Sequence, residues 1–201
     1  MKPDSIAFAV SGMAFGLIAG WIIGTEQATV RNQPPAAPVA ASAPAPAAGA
    51  STPRAAVLDQ AQVTALTSVI AREPENARAR TQLANLYFDA ERYDDAIKWY
   101  EEAVKLSPKD VDASTDLGVC YYYTNQPDKA LVQFDHSLAL DPKHTKTLLN
   151  VGIVRAFGKQ DLDGATKAWQ QVIQLAPESP EGQAAKRALD SLRSAHPATG
   201  D

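Results

Sequence analysis

The chain has 201 residues and a formal net charge of −4. That charge offers no basic field to hold the phosphates of a nucleic acid, so nucleic-acid binding is not expected. The single cysteine, Cys120, excludes a disulfide within the chain. It lies in an apolar helical stretch, and we expect a small core residue rather than a reactive thiol.

After a short tail at residues 1–5, residues 6–24 carry no charge and read IAFAVSGMAFGLIAGWIIG. As a helix this stretch would be roughly 28 Å long, close to the ~30 Å hydrocarbon core of a bilayer. A cleaved signal peptide is the alternative, but no small-x-small cleavage site follows Gly24. The sequence therefore predicts a retained transmembrane helix. Lys2 and the α-amino group favour a cytoplasmic N-terminus, with the bulk of the chain outside the cytoplasm.

Glycines recur every four residues along this stretch, at Gly12, Gly16, Gly20 and Gly24. On a helix they share one face, where small residues let two helix backbones approach closely. Glycine is also simply frequent in membrane helices, and the two explanations are equally supported. A helix–helix contact in the membrane is therefore one of two open interpretations.

Residues 25–56 are predicted to be a flexible linker. Within them, residues 33–56 contain 11 alanines and 6 prolines and no large apolar side chain to build a core. Such a composition favours extended polyproline II conformation, with a reach of about 75 Å for this stretch. A spacer is the better interpretation than a proline-rich ligand, since charged flanking residues are missing.

From residue 57 onwards the sequence repeats. Prolines at 74, 108, 142 and 177 are spaced 34, 34 and 35 residues apart, each after an apolar helical stretch. Small residues recur in step where two helices of a hairpin would cross, at Ala84, Gly118 and Gly152 and again at Ala96, Ala130 and Ala165. Aromatic residues that we expect between neighbouring hairpins recur at Tyr100, Phe134 and Trp169. Aspartates that we expect to cap the second helices recur at Asp94, Asp128 and Asp163.

This 34-residue pattern resembles the tetratricopeptide-repeat family. The resemblance implies an all-α helical solenoid over residues 57–195, with full repeats at about 77–110, 111–144 and 145–179. Flanking helices at 58–72 and 179–195 would bring the total to about eight, and residues 196–201 would form a disordered tail. Polar Arg80 and Ser114 stand where the family has a bulky residue, and Arg155 replaces a tyrosine. The third repeat also holds one extra residue near Gly158, which we expect a turn to absorb.

Neither a catalytic nor a metal-binding constellation is visible in the sequence. The three histidines, His136, His144 and His196, have no second ligand at helical spacing. A phosphate-cradling glycine loop and a nucleophile motif are also missing. We therefore expect a protein that is not an enzyme and takes no cofactor.

In the resembled family, the first helices of successive repeats line a concave groove. Carried over to this chain, the partner-binding groove would present Arg78, Asn85, Phe88, Val119, Tyr122, Tyr123, Lys146, Ile153 and Phe157. Some family members grip a peptide carboxylate, but only Asn85 and Lys146 match that clamp here, and Asp116 would repel an anion. We expect an aromatic groove for a protein or peptide segment, although each aromatic residue is about as well explained by packing between helices.

Two functions remain open. The first is a protein-interaction scaffold or adaptor, anchored in a bacterial inner membrane with its repeat domain in the periplasm. Its layout resembles periplasmic repeat proteins of cytochrome c maturation, secretion or envelope assembly, and that likeness does not choose among them. The alternative is a structural homo-oligomer assembled through the glycine-striped helix.

Overall fold

The computed structural model of the protein describes residues 57–195, and this part of the chain is all-helical. The predicted membrane span at 6–24 with its four glycines, the linker at 25–56 and the tail at 196–201 lie outside the described residues. Among residues 57–195, no helix has the length and apolar character needed to cross a membrane. The helices are α1 Gln60–Arg72, α2 Ala77–Asp89, α3 Tyr93–Leu106, α4 Val111–Tyr123, α5 Pro127–Leu140, α6 Thr145–Ile153, α7 Leu162–Leu175 and α8 Pro180–Ala195.

Helices α2 to α7 form three hairpins, α2 with α3, α4 with α5, and α6 with α7. Each hairpin also packs on the next, through α3 and α4 and then through α5 and α6. At the ends, α1 covers α2, and α8 packs on α7 and α6. The stacked helical hairpins predicted from the repeat spacing are thus confirmed, since one hairpin buries its apolar face only against a neighbour.

An aromatic ring of the second helix lies against a small residue of the first helix within a hairpin. A methyl group added to Gly118 would run into the Phe134 ring, and one added to Gly152 would run into the Trp169 indole. Tyr100 also belongs to a core cluster that includes residues of α4 in the next hairpin. All three rings are fully buried. Phe134 and Trp169 therefore also fill space inside their own hairpins, where the missing glycine Cβ makes room for them.

The aspartates expected as helix caps lie within the first turn of the second helices, not at the N-cap position. Asp94, Asp128 and Asp163 are the second residues of α3, α5 and α7. There a carboxylate stabilises the helix through its dipole rather than as an N-cap. For α7 the cap is Asp161, whose Oδ1 accepts a hydrogen bond from the Gly164 amide at 2.8 Å.

The extra residue of the third repeat lies in a helix rather than in a turn. The chain continues from α6 into a π-helical turn at Val154–Gly158. The turn residue that follows, Gln160, has a φ of 56°, which matches the φ of 56° at Glu91 and 59° at Asn125 in the other hairpins. The expectation that a turn absorbs the insertion is therefore wrong. A single π-helical turn takes up one residue and leaves the connection to α7 unchanged.

Two polar residues at apolar positions of the repeat find partners in the core. Arg80 is 9% exposed, and its Nε donates to Glu102 Oε2 at 2.9 Å. The hydroxyls of Ser114 and Ser137 are hydrogen-bonded at 2.9 Å. Within residues 57–195, every buried side-chain nitrogen or oxygen has a hydrogen-bond partner. Burial of these groups is therefore compensated.

Candidate functional site

The first helices of the second and third hairpins, α4 and α6, are joined by polar side chains. The buried hydroxyls of Thr115 and Thr147 are 2.7 Å apart. Close by, Lys146 Nζ lies 2.8 Å from Asp116 Oδ1. These two pairs hold α4 and α6 side by side, so residues from both helices contribute to one surface of the domain.

This surface carries more negative than positive charge around Asp116. Burial raises the pKa of the Asp116 carboxyl, and the Lys146 ammonium acts against that rise. Burial also raises the pKa of Asp89, at the end of α2, and the Asp116 carboxylate adds to the effect. The carboxylates of Asp89, on α2, and Asp116, on α4, therefore repel each other. Lys146 offsets the negative charge of Asp116 directly.

Four aromatic side chains meet where the first hairpin contacts the second. Phe88 and Tyr93 pack edge to face, with ring centroids 5.6 Å apart. Tyr93 stacks on Tyr123 with centroids 4.4 Å apart and planes within 10°. Tyr122 lies beside Tyr123, with centroids 5.8 Å apart. We call these four residues the tyrosine cluster. All four are half-buried, so part of each side chain remains available to a ligand.

The π-helical turn brings the third hairpin next to this cluster. A methyl group added to Gly158 would lie 3.4 Å from the Tyr122 ring and 2.9 Å from the Pro127 Cβ. Phe157, the residue before Gly158, is 42% exposed. Tyr122 and Phe157 are therefore carried by adjoining elements.

The residues predicted to line a groove fall into three classes of exposure. Those most open to solvent are Arg78 and Phe157; those half-buried are Asn85, Phe88, Tyr122, Tyr123 and Lys146; those buried are Val119 and Ile153. Val119 is 1% exposed and Ile153 is 3% exposed. These two are not placed to contact a partner directly, which corrects the prediction for them.

The two residues that match a carboxylate clamp both make contacts within the domain. Asn85 Oδ1 accepts a hydrogen bond from the Tyr100 hydroxyl at 2.6 Å. Lys146 pairs with Asp116, whose carboxylate would repel a bound anion. Both contacts argue against a site for a C-terminal carboxylate.

One member of the tyrosine cluster was missed by reasoning from the sequence. Tyr93 begins α3, a second helix, whereas the predicted groove was drawn from first helices. The available signal was the closeness in sequence of Phe88 and Tyr93, which flank the turn between α2 and α3. Two aromatic residues that flank a short turn are brought together when the hairpin closes.

The thiol of Cys120 and the imidazole of His144 both lie among other side chains of the domain. Cys120 is fully buried, as predicted, and burial followed by the nearby Asp116 raises the pKa of its thiol. His144 is not isolated as the sequence indicated: its Nδ1 is 2.6 Å from Thr147 Oγ1 and its Nε2 is 3.3 Å from Asp112 Oδ1. In the described part of the chain, no three His, Cys, Asp or Glu side chains are grouped to hold a metal ion.

Comparison with known proteins gives a family for this repeat. Residues 75–143 match the family model described as Tetratricopeptide repeat. This match covers the first two hairpins and includes the whole tyrosine cluster. A search of curated proteins finds no significant match.

Solved structures share the helical architecture at low sequence identity. One crystal structure of MamA is 18% identical with a TM-score of 0.55, covering 66% of this chain and 88% of that one. A second MamA structure is 21% identical, also with a TM-score of 0.55, covering 66% and 75%. The first TPR of Spaghetti (RPAP3), bound to HSP90 peptide SRMEEVD, is 24% identical with a TM-score of 0.53, covering 60% and 94%. These likenesses establish the fold.

Proposed function

We propose, for a chain that belongs to the tetratricopeptide-repeat family, that residues 57–195 form a non-catalytic scaffold that binds a segment of another protein. The fold is that of an interaction scaffold, and the RPAP3 neighbour was solved with a bound peptide. The observation that carries the proposal is the tyrosine cluster, with the exposed Phe157 on the adjoining π-helical turn. Half-buried aromatic rings at the junction of hairpins can pack or stack on an extended or helical segment.

Crosslinking in native membranes would identify the partner, and variants of the purified protein would then test the surface. We expect Tyr122→Ala and Phe157→Ala each to weaken capture of that partner by about 1–3 kcal/mol, as truncation of an aromatic anchor commonly does. Val132→Ala is the matched control, since Val132 is 69% exposed on the second helix α5. Capture is measured below the melting temperature of each variant. If both aromatic variants stay folded and capture the partner as the wild type does, this surface is not the binding surface.

We further propose that residues 6–24 anchor the chain in a bacterial inner membrane and that the repeat domain lies in the periplasm. The support is the uncharged 19-residue stretch, preceded by Lys2. The full-length protein should then resist carbonate extraction from membranes. Protease added to intact spheroplasts should cut the linker at 25–56. A linker protected until lysis would reverse the orientation, and a mature N-terminus near residue 29 would mean a cleaved signal peptide.

The alternative function, a structural homo-oligomer, rests on the four-residue spacing of Gly12, Gly16, Gly20 and Gly24. A measurement of oligomeric state in detergent distinguishes this function from the scaffold function. Full-length protein that is oligomeric while residues 57–201 are monomeric would favour assembly through the membrane helix. Monomers in both cases would remove the alternative.

A further inference from the structure

A surface cleft of about 440 Å³ lies where the turn between α2 and α3 meets the end of α4. The stacked rings of Tyr93 and Tyr123 line it, so the cleft adjoins the tyrosine cluster. The charged residues that line it are Glu91, Arg92, Asp94 and Asp95. We call this site the acidic cleft. Its volume is within the range of roughly 300–1,000 Å³ in which proteins bind small ligands, and it suffices for one long side chain.

The one cation that lines the acidic cleft is already engaged. The Arg92 guanidinium pairs with the Asp95 carboxylate and lies 5.1 Å from the centroid of the Tyr87 ring. Asp95 also accepts from Lys98 Nζ at 3.2 Å. Asp95 is therefore shared by two cations, Arg92 and Lys98. The remaining carboxylates, Glu91 and Asp94, make no ion pair within residues 57–195, so the cleft is left with an excess of negative charge.

Glu91 lines the same cleft as Tyr93 and Tyr123, and its charge acts on both phenols. Burial raises the pKa of Tyr93 first, and then Tyr123 and Glu91 raise it further. Burial likewise raises the pKa of Tyr123, followed by Tyr122 and Glu91. Both phenols therefore stay neutral at physiological pH, beside a carboxylate.

The backbone fixes Glu91 in this place. Its φ of 56° is left-handed, and its amide donates to the Phe88 carbonyl at 2.9 Å. A left-handed conformation favours glycine or asparagine over glutamate. The equivalent turn residues of the other two hairpins, Asn125 and Gln160, are uncharged. The carboxylate is therefore particular to the turn that borders the acidic cleft.

We propose that the acidic cleft receives a cationic side chain, preferably arginine, from the protein segment that the scaffold binds. A guanidinium seated there would contact the Tyr93 and Tyr123 rings and pair with the Glu91 carboxylate. Arginine is preferred to lysine because its planar group both stacks on aromatic rings and binds a carboxylate with two hydrogen bonds. An anionic occupant would meet two uncompensated carboxylates. This inference rests on the proposed function and specifies the chemistry of the partner.

The test uses full-length protein in a neutral detergent and fluorescein-labelled peptides of eight residues with blocked termini. One peptide carries a single arginine, the second carries citrulline in its place, and the third carries lysine. Citrulline keeps the shape of arginine without its charge. We expect the arginine peptide to bind at least about 5-fold more tightly than the citrulline peptide at low salt, with lysine between them. The difference should shrink as salt is added.

Glu91→Gln combined with Asp94→Asn should abolish the preference for arginine. Both residues are exposed, so the amides leave the core intact. Asp163→Asn is the matched control, because Asp163 is the second residue of α7 as Asp94 is of α3. This variant should keep the wild-type preference. Equal affinity for arginine and citrulline, or no measurable binding up to about 1 mM, would overturn the proposal.

Partner capture distinguishes failure of this inference from failure of the proposed function. If the double variant captures the partner normally while Tyr122→Ala does not, the aromatic surface binds and the acidic cleft does not contribute. If both lose capture, the acidic cleft and the tyrosine cluster hold the same segment. If the double variant, Tyr122→Ala and Phe157→Ala all capture the partner normally, neither the aromatic surface nor the acidic cleft is the binding surface.

Discussion

Trp169→Ala should lower the free energy of unfolding by about 3–5 kcal/mol. The indole is 1% exposed, and its Nε1 donates to the Leu149 carbonyl at 3.2 Å. Removing it leaves a cavity against the backbone of α6, which cannot collapse to fill it. Chemical denaturation followed by far-UV circular dichroism measures the loss. Gln170→Ala, the exposed next residue of α7, should change stability by less than about 0.5 kcal/mol.

A second substitution tests whether Trp169 acts through Gly152. In the wild-type protein, Gly152→Ala should destabilise by about 1–3 kcal/mol, because its methyl group runs into the indole. In the Trp169→Ala background the same change should become neutral or stabilising, since alanine is favoured over glycine in a helix by about 1 kcal/mol. Additive effects of the two substitutions would contradict this packing.

Lys146→Met should cost about 3 kcal/mol at neutral pH, because it leaves the buried Asp116 carboxylate without its cation. Asp116 is 8% exposed, so water cannot replace the lost ammonium. Lys159→Met is the control: its partner, Asp128, has a side chain that is 80% exposed, and an exposed pair contributes at most about 1 kcal/mol. Adding Asp116→Asn to Lys146→Met should recover most of the loss. A double variant as unstable as Lys146→Met would show that the lysine acts through other contacts.

The deficit of Lys146→Met should also depend on pH. The folded-state pKa of Asp116 lies above the reference value of 3.8, so the folded protein binds this proton more tightly than the unfolded chain. The contribution is fully present below the unfolded pKa and is lost as pH rises through the folded pKa. Removing Lys146 removes an influence that lowers this pKa, so the decline extends to higher pH. The difference from the wild type should therefore shrink towards pH values below about 4. A constant difference from acidic to neutral pH would contradict the assignment to Asp116.

The hairpin architecture was predictable because its determinants recur at a fixed spacing. Gly118 and Gly152 lie where rings from the second helices need space, and Phe134 and Trp169 provide those rings. A repeated pair of small and large residues specifies which helices pack together, and the prolines mark the hairpin ends. Each feature is local to about 34 residues, as expected for a solenoid.

The details of the third hairpin were not predictable in the same way. The number of residues between Gly152 and Ala165 is the same whether the extra residue lies in a turn or in a helix. The structure places it in the π-helical turn at Val154–Gly158, because Gln160 keeps the left-handed turn of the other hairpins. The spacing of the repeat shows that a residue was added. Its location depends on the backbone hydrogen bonds, which the spacing does not reveal.

The sequence predicted only part of the candidate site, for a related reason. Helical spacing puts Val119 on the same face as Asp112 and Asp116, but it does not report how closely the next helix approaches. In the folded domain Val119 and Ile153 are buried, whereas Tyr122 and Tyr123 stay half-buried at the end of α4. Tyr93 joins them from a second helix. These features depend on tertiary packing rather than on periodicity.

Because Cys120 is buried, the reactivity of its thiol can be used to measure local unfolding of the domain. An alkylating reagent reaches this thiol, the single one in the chain, only in molecules whose α4 has separated from its neighbours. The rate of modification in dilute reagent therefore measures the free energy of that opening, as amide hydrogen exchange does for the backbone. Cys120 lies one turn before Tyr123, so a peptide bound at the tyrosine cluster would oppose the same opening. Protection of the thiol would then increase with peptide concentration as mass action requires, and binding is measured without an introduced label on the protein.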